Sequence, residues 1–114
     1  EDFSNFCQMI LNKGSVYGHR ILKKETVELM IRNHVGELIG PGRGFGLGFG
    51  VLYNTDKDPS PASTGQVYWG GYFKTHFFID PKEDLIAIIM THKIPNTDEY
   101  IIELNRAVYS ALSL

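Results

Sequence analysis

Residues 68–72, with the sequence YWGGY, form the segment of this chain most suited to chemistry. Gly70 and Gly71 remove side chains from one point of a predicted strand, which leaves backbone N–H groups open to a ligand or a reacting oxygen. Preorganised N–H groups of this kind stabilise the oxyanion of acyl transfer. A glycine pair is also typical of a bulge or a close packing contact, and the residues alone leave both interpretations open.

No activated nucleophile accompanies these glycines in the sequence. The elbow G-x-S-x-G is absent, and no serine is followed three positions later by lysine. The tripeptide Tyr-x-Asn is absent as well. Because a serine needs a neighbouring base to attack a carbonyl group, these templates predict no activated serine within the chain.

The sequence predicts neither a metal site nor a cofactor. No two of the four histidines are spaced three or four residues apart, and the single cysteine, Cys7, excludes an internal disulfide and a zinc site of several cysteines. Every glycine from Gly40 to Gly50 lies at an even position, so the odd offset in G-x-G-x-x-G cannot be met. Cys7 and the histidines are expected to be packing or surface residues.

Single-stranded RNA is the alternative ligand from a different class. Residues 43–46 (RGFG) match the first half of the RNA-recognition octapeptide, but Leu47 and Gly50 replace two of its further aromatic positions. The net charge of −2 argues against a protein built around a phosphate backbone. No nucleic-acid partner is therefore expected, although a stand-alone, non-catalytic binding module stays open as the second hypothesis.

Composition indicates a folded domain, or part of one, in 114 residues. Apolar residues make up 43% and charged residues 21%, which are ordinary globular values. The longest apolar run, residues 85–90, is far short of the ~20 residues that cross a bilayer, so no membrane span is expected. A lone cysteine is compatible with both cytoplasm and periplasm and predicts no compartment.

Hydrophobic periodicity predicts helices at both ends of the chain and strands between them. Within residues 43–54 glycine alternates with apolar side chains, which predicts one strand whose bare face lets another element approach closely. The apolar segment 85–91 predicts a central strand buried on both faces. The expected order is two helices in 1–35, the strand 43–54, a loop 55–64, three antiparallel strands in 65–92 and a helix 96–113. Asn96 is the expected N-cap of that last helix. Its expected buried residues are Ile101, Leu104, Val108 and Ala111.

Several segments, in this order, resemble the superfamily of serine β-lactamases, penicillin-binding proteins and esterases, and its class C-like branch most closely. Trp69-Gly70-Gly71 falls where that superfamily places its third active-site motif. The other matching segments are 2–14 (DFSNFCQMILNKG), 18–22 (GHRIL), 25–30 (ETVELM), 44–51 (GFGLGFGV) and 80–86 (DPKEDLI).

The resemblance implies an α+β fold, an antiparallel sheet with flanking helices, of which this chain is the C-terminal part. The superfamily's Ser-x-x-Lys and Tyr-x-Asn motifs lie upstream of the matched region, which agrees with their absence here. The chain begins with glutamate and enters a helical pattern almost at once, which also favours a piece of a longer protein. We therefore expect the chain alone to be inactive and its main partner to be the N-terminal part of the same domain.

The resemblance also assigns roles to the third-motif residues. The backbone N–H of Tyr72 becomes one half of the oxyanion hole, and Trp69, Gly70 and Gly71 bind the substrate, a small ester or amide. Trp69 stands where many relatives have a cation that holds a substrate carboxylate, which places a β-lactam substrate in doubt. The bulky Tyr72, Phe73 and Lys74 are expected to narrow that side of the pocket.

Overall fold

The structure, a computed structural model, describes residues 1–58, 61–73, 75–92 and 98–113. In chain order its elements are α1 (Asp2–Leu11), β1 (Ser15–Val16), β2 (His19–Arg20), α2 (Lys24–Met30), β3 (Arg43–Phe45), β4 (Gly50–Leu52), β5 (Val67–Gly70), β6 (His76–Asp80), β7 (Leu85–Ile89) and α3 (Glu99–Leu112). The expected N-cap Asn96 lies outside the described residues.

Strands β3 to β7 form one antiparallel sheet in which each strand pairs with its neighbour in sequence. Helix α1 packs on one face of this sheet, where Cys7, Met9 and Ile10 join buried residues of β4, β5 and β6. Helix α3 covers the other face, where Tyr109 packs against Phe78 and other residues of a second cluster. The fold is therefore α+β, an antiparallel sheet with flanking helices, as the sequence predicted.

Helix α1 ends in a tight cap that aims the chain into the β1–β2 hairpin. The N–H of Gly14 donates to Met9 O at 2.8 Å and that of Lys13 to Ile10 O at 3.1 Å, which is the Schellman arrangement. Both residues after the cap have positive φ, +62° at Lys13 and +113° at Gly14. A Cβ at Gly14 would lie 2.0 Å from Leu22 O. Both the positive φ and the lack of space for a side chain therefore require glycine at this position.

The expected single strand over 43–54 is wrong: the segment forms a hairpin of β3 and β4, closed by a hydrogen bond from the Gly46 N–H to Phe49 O. Gly48 has φ +101°, which turns the chain where strict alternation would have continued it. The close approach occurs instead on β3 and the turn, since a Cβ at Gly44 would lie 2.0 Å from Asn33 Oδ1. One at Gly46 would lie 2.0 Å from Met30 O.

Asn33 fastens this hairpin to the segment that follows α2. Its Oδ1 accepts hydrogen bonds from the N–H groups of Val35 and Phe45, and its Nδ2 donates to Gly36 O. The bare positions of β3 therefore carry a polar clamp rather than an apolar helix face. Helix α2 ends at Met30, three residues before this clamp.

The segment 85–91 was expected to be a central strand, but β7 lies at one side of the sheet and ends at Ile89. Its faces are half-buried, with Ile86 and Ile88 against the α1 cluster and Leu85 and Ala87 against the α3 cluster. Among the described residues β7 has a partner strand, β6, on one side only. Both faces of the apolar run therefore contact described residues.

Helix α3 differs from its expected form at its start and in its buried stripe. It begins at Glu99, with Asp98 in the N-cap position, and Leu104 and Val108 pack on the sheet as predicted. Ala111 is exposed, and the buried residue is Tyr109. In the described part of the chain, no helix is long and apolar enough to cross a membrane.

We predict that Gly14→Ala destabilises the chain more than Gly18→Ala. Both glycines have positive φ, but a Cβ at Gly18 meets nothing within 4 Å, so Gly18→Ala carries backbone strain alone, about 1 kcal/mol. Gly14→Ala adds the clash with Leu22 O and should lower the free energy of unfolding by about 3 kcal/mol or more. Urea denaturation followed by circular dichroism measures both variants, and equal losses would contradict the steric account.

We also expect the isolated chain to associate through the outer edge of β7. The β5–β6–β7 register turns the N–H groups of Ile86 and Ile88 away from β6. Ile86→Pro removes one outward donor and should shift the population towards monomer, while Ile86→Val keeps the donor and should not. Light scattering coupled to size exclusion, over a range of concentrations, tests this, and a monomer at every concentration would refute it.

Candidate functional site

The candidate site lies where β5 extends beyond its neighbour β4. The β4–β5 pairing covers Gly50↔Tyr68 and Val51↔Val67 and ends there. On its other side β5 stays paired with β6 as far as Gly70↔His76. In the described part of the chain, the β4 side of residues 69–72 therefore carries no partner strand.

The hydrogen-bond alternation of the β5–β6 ladder fixes which backbone groups face this open side. The Gly71 N–H donates to Thr75 O at 2.8 Å, so Gly71 and Trp69 direct their backbone groups towards β6. Gly70, at the alternate position, directs its groups to the open side, and Tyr72 follows in the turn beyond the strand. No described residue accepts a hydrogen bond from the Tyr72 N–H.

Both glycines also make close contacts with the segment that enters β6. A Cβ at Gly70 would lie 2.7 Å from Thr75 O, and one at Gly71 would lie 2.6 Å from Thr75 Oγ1. The close packing contact that the sequence left open is therefore present. It does not compete with the open edge, because the contacts hold the backbone in place on the β6 side and leave the β4 side free.

Trp69 lies at this edge with 51% of its surface exposed. Its ring meets that of Phe45 edge to face, with 5.4 Å between the ring centroids. In the β5–β6 register Trp69 is opposite Phe77. A neutral, aromatic surface therefore stands at the position for which the sequence predicted substrate binding.

Tyr72 and Phe73 follow the strand and are tied to the end of β7. Tyr72 is 70% exposed, its ring contacts Phe73, and the Phe73 ring lies 4.4 Å from that of His92. Thr91 Oγ1 donates to Phe73 O at 3.0 Å. The narrowing expected from these bulky residues stays a prediction, and Lys74 lies outside the described residues.

Two depressions flank the edge, one on each face of the sheet. On the α1 side a pocket of about 290 Å³ is lined mainly by apolar residues, among them Phe3, Trp69 and Phe77. On the α3 side a groove of about 800 Å³ contains charged residues, including Arg43 and Asp58. Gly70 and Gly71 line both, so the strand edge separates an apolar surface from a polar one.

A buried hydrogen-bond network beside the groove escaped sequence analysis. Asp80, fully buried, accepts a hydrogen bond from the Tyr109 hydroxyl, and its Oδ1 accepts from the N–H groups of Lys82 and Glu83. Gln66 Nε2 donates to the same hydroxyl at 3.1 Å. Burial raises the pKa of Tyr109 and the Asp80 carboxylate adds to this effect, so the hydroxyl stays protonated and the network is structural.

Cys7 and Arg43 have structural surroundings. Burial raises the pKa of the Cys7 thiol to about 11, which suits packing and not nucleophilic attack. Among the described residues, no group of three histidine, cysteine, aspartate or glutamate side chains is arranged to hold a metal ion. Arg43, central to the RNA alternative, pairs with Asp58 and lies over the Tyr68 ring, 5.2 Å from its centroid.

Comparison with known proteins identifies the family. The Beta-lactamase family model matches residues 1–110. The chain therefore belongs to the Beta-lactamase family.

Two kinds of relative extend this result. The chain is 30% identical to protein Rv1367c of Mycobacterium tuberculosis in an alignment of 109 positions that covers 84% of the chain. It is similar in structure to EstCE1, described as a hydrolase with promiscuous acyltransferase activity, with a TM-score of 0.73 and 31% identity over 87% of the chain. Simvastatin synthase (LovD) of Aspergillus terreus shares the fold, with a TM-score of 0.72 and 19% identity over 96% of the chain.

The chain spans about a quarter to a third of these proteins: 27% of Rv1367c, 26% of EstCE1 and 33% of LovD.

We predict that Tyr109→Phe lowers the free energy of unfolding by about 1–3 kcal/mol at neutral pH, because Asp80 loses a buried donor. The raised pKa of Tyr109 keeps its hydroxyl protonated in the folded state. The contribution of this hydroxyl to the free energy of unfolding is therefore complete below pH 10.0, the ordinary pKa of tyrosine, and declines as the pH rises above that value. Tyr109→Phe should weaken that alkaline decline.

Tyr100→Phe is the matched control on the same helix, because the Tyr100 hydroxyl contacts Thr91 at a half-buried position. Urea titrations at several pH values compare the two variants. Equal losses of stability, or an unchanged alkaline decline in Tyr109→Phe, would contradict the assigned role of the network.

Proposed function

We propose that this chain is the C-terminal part of the catalytic domain of a serine-acylating hydrolase that acts on an ester or amide. Its share of the catalytic machinery is the strand edge formed by Trp69, Gly70, Gly71 and Tyr72. The observation that carries the proposal is the open β4 side of β5 beyond Tyr68, followed by a Tyr72 N–H that has no acceptor among the described residues. The similarity to EstCE1, a hydrolase with promiscuous acyltransferase activity, also supports the proposed acyl transfer.

In the proposed reaction a serine hydroxyl from outside this chain attacks the substrate carbonyl carbon and gives its proton to a neighbouring base. The electron pair of the C=O double bond moves to oxygen, and the Tyr72 N–H donates a hydrogen bond to the resulting oxyanion. Collapse of this intermediate expels the alcohol or amine, which takes the proton. Water, or a second alcohol, then releases the acyl group by the same steps.

In the proposed enzyme, this chain contributes the oxyanion donor, and the nucleophile and base come from outside it. The Gly71–Thr75 hydrogen bond and the absence of side chains at Gly70 and Gly71 position the edge before substrate arrives. Preorganised donors of this kind are worth about 3–4 kcal/mol in the transition state. The superfamily's Ser-x-x-Lys and Tyr-x-Asn motifs supply, by resemblance, the nucleophile and base that this chain lacks.

The proposal is tested on the complete protein encoded by the reading frame that contains these 114 residues. A fluorophosphonate should label one serine of that protein and none in the isolated chain. Labelling of a serine within the isolated chain, or no labelling of the complete protein, would overturn the assignment.

Tyr72→Pro in the complete protein tests the oxyanion donor, because proline removes the N–H. We expect kcat for ester hydrolysis to fall about 100- to 1,000-fold. Tyr72→Ala is the matched control: it removes the exposed ring, keeps the N–H and should change kcat far less. Equal losses in two folded variants, judged by circular dichroism, would remove Tyr72 from the oxyanion hole.

A further inference from the structure

The Tyr72 N–H lies beyond the strand pairing that fixes the rest of the proposed edge. The last pair of the β5–β6 ladder is Gly70↔His76, and Tyr72 follows in the turn. Its side chain is not held by burial, because 70% of the residue is exposed. The direction of this N–H therefore depends on how the residues on either side of Tyr72 are held.

Both neighbours of Tyr72 are tied by hydrogen bonds to other segments. The Gly71 N–H donates to Thr75 O at 2.8 Å, next to the start of β6. Phe73 O accepts from Thr91 Oγ1 at 3.0 Å, and Thr91 follows the end of β7 by two residues. Because a peptide group is planar and turns only about the bonds at its two ends, these two anchors limit the rotation of the group that carries the Tyr72 N–H.

A second hydroxyl group sets the direction of the Thr91 hydroxyl. Tyr100, in the first turn of α3, has its hydroxyl oxygen 3.1 Å from Thr91 Oγ1. A threonine hydroxyl has one hydrogen, and Thr91 donates it to Phe73 O, so Tyr100 is the donor to Thr91. A hydroxyl that accepts a hydrogen bond in this way becomes a stronger donor. The series from Tyr100 through Thr91 to Phe73 therefore joins helix α3 to the turn that carries the proposed oxyanion donor.

We infer that Thr91 is a positioning residue for the oxyanion donor: its hydroxyl, oriented by Tyr100, holds the turn so that the Tyr72 N–H meets the developing oxyanion. This inference rests on the proposed function and adds two side chains that act through the backbone of the turn. It also makes the start of α3 part of the support of the site.

The Thr91 hydrogen bond should matter more to the reaction than to stability. Thr91 is half-buried, and a neutral hydrogen bond at such a position contributes modestly to the free energy of unfolding. A donor to a developing oxyanion must be held more closely, since a displacement of about 1 Å can lower a rate about 100-fold. Loss of the anchor should therefore appear mainly in the catalytic rate.

The test compares Thr91→Val with Thr91→Ser in the complete protein, with p-nitrophenyl acetate as substrate. Valine keeps the shape of threonine and removes the donor, so kcat and kcat/KM should both fall about 10-fold, as expected when an interaction of the transition state is lost. Serine keeps the hydroxyl, and kcat should stay within about 2-fold of the unmodified protein.

Thr55→Val is the matched control. Thr55 is also half-buried, and its hydroxyl oxygen lies 3.2 Å from that of Thr64, away from the turn. Its kcat should stay within about 2-fold of the unmodified protein. An unchanged kcat in folded Thr91→Val, or an equal loss in Thr91→Ser or Thr55→Val, would overturn the inference and leave the proposed hydrolase intact. If the unmodified complete protein neither hydrolyses the ester nor reacts with a fluorophosphonate, the proposed function itself is overturned.

Tyr100→Phe tests the order of the series and serves if Thr91→Val does not fold. It removes the donor to Thr91 but leaves the Thr91 hydroxyl in place, so kcat should fall about 3-fold. In the double variant Thr91→Val/Tyr100→Phe, kcat should equal that of Thr91→Val alone, because Tyr100 acts through Thr91. An unchanged kcat in Tyr100→Phe, or losses that multiply in the double variant, would contradict the series.

Discussion

The unequal lengths of the two ladders on either side of β5 are the constraint on which the candidate site depends. The ladder to β6 runs to Gly70 and is prolonged by the hydrogen bond from Gly71 to Thr75, whereas the ladder to β4 stops at Tyr68. The strand is thus held firmly along one side while its other side presents peptide groups. A site that binds a carbonyl oxygen needs a strand that is held in place on one side and has free N–H groups on the other. An edge without support would move, and a fully paired edge would have no free donor.

The rest of the fold keeps this strand in place from both faces. On one face Val67 is buried with residues of α1 and α2. On the other face the Tyr109 hydroxyl links α3 to Asp80, and Asp80 also organises the turn after β6. Because the Asp80 carboxylate accepts hydrogen bonds both from Tyr109 and from the turn, α3 cannot shift along the sheet without breaking these hydrogen bonds. The polar groups of this core position α3, while its apolar groups provide most of the burial.

Periodicity predicted helices at both ends and strands between them, whereas the family and the α+β class were implied by the resemblance of ordered segments to a known superfamily. They failed where glycine was involved, because a residue without a side chain adopts either sign of φ and its pattern fits a strand and a hairpin equally. Residues 43–54 illustrate this, since the turn at Gly48 depends on a dihedral angle that the alternation does not encode. Tyr109 could not be paired with Asp80 either, because their contact joins positions 29 residues apart. Trp69, Gly70 and Gly71 of the candidate site were predicted from the resemblance, but the open edge depends on where β4 ends, which is a property of a different strand.

The meander order of the sheet has a consequence for the kinetics of folding. Every strand of β3 to β7 pairs with its sequence neighbour, so each ladder closes only the loop between two consecutive strands. Low sequence separation between contacting residues favours rapid folding, and the five strands can pair in succession, one hairpin after another. Helix α1 packs against β6 and β7, which are far from it in sequence. Docking of α1 therefore closes a much longer loop than any strand pairing in the sheet does. The edge that bears Gly70 and Gly71 therefore belongs to a sheet built from pairs of consecutive strands, and its ladders can form before α1 docks.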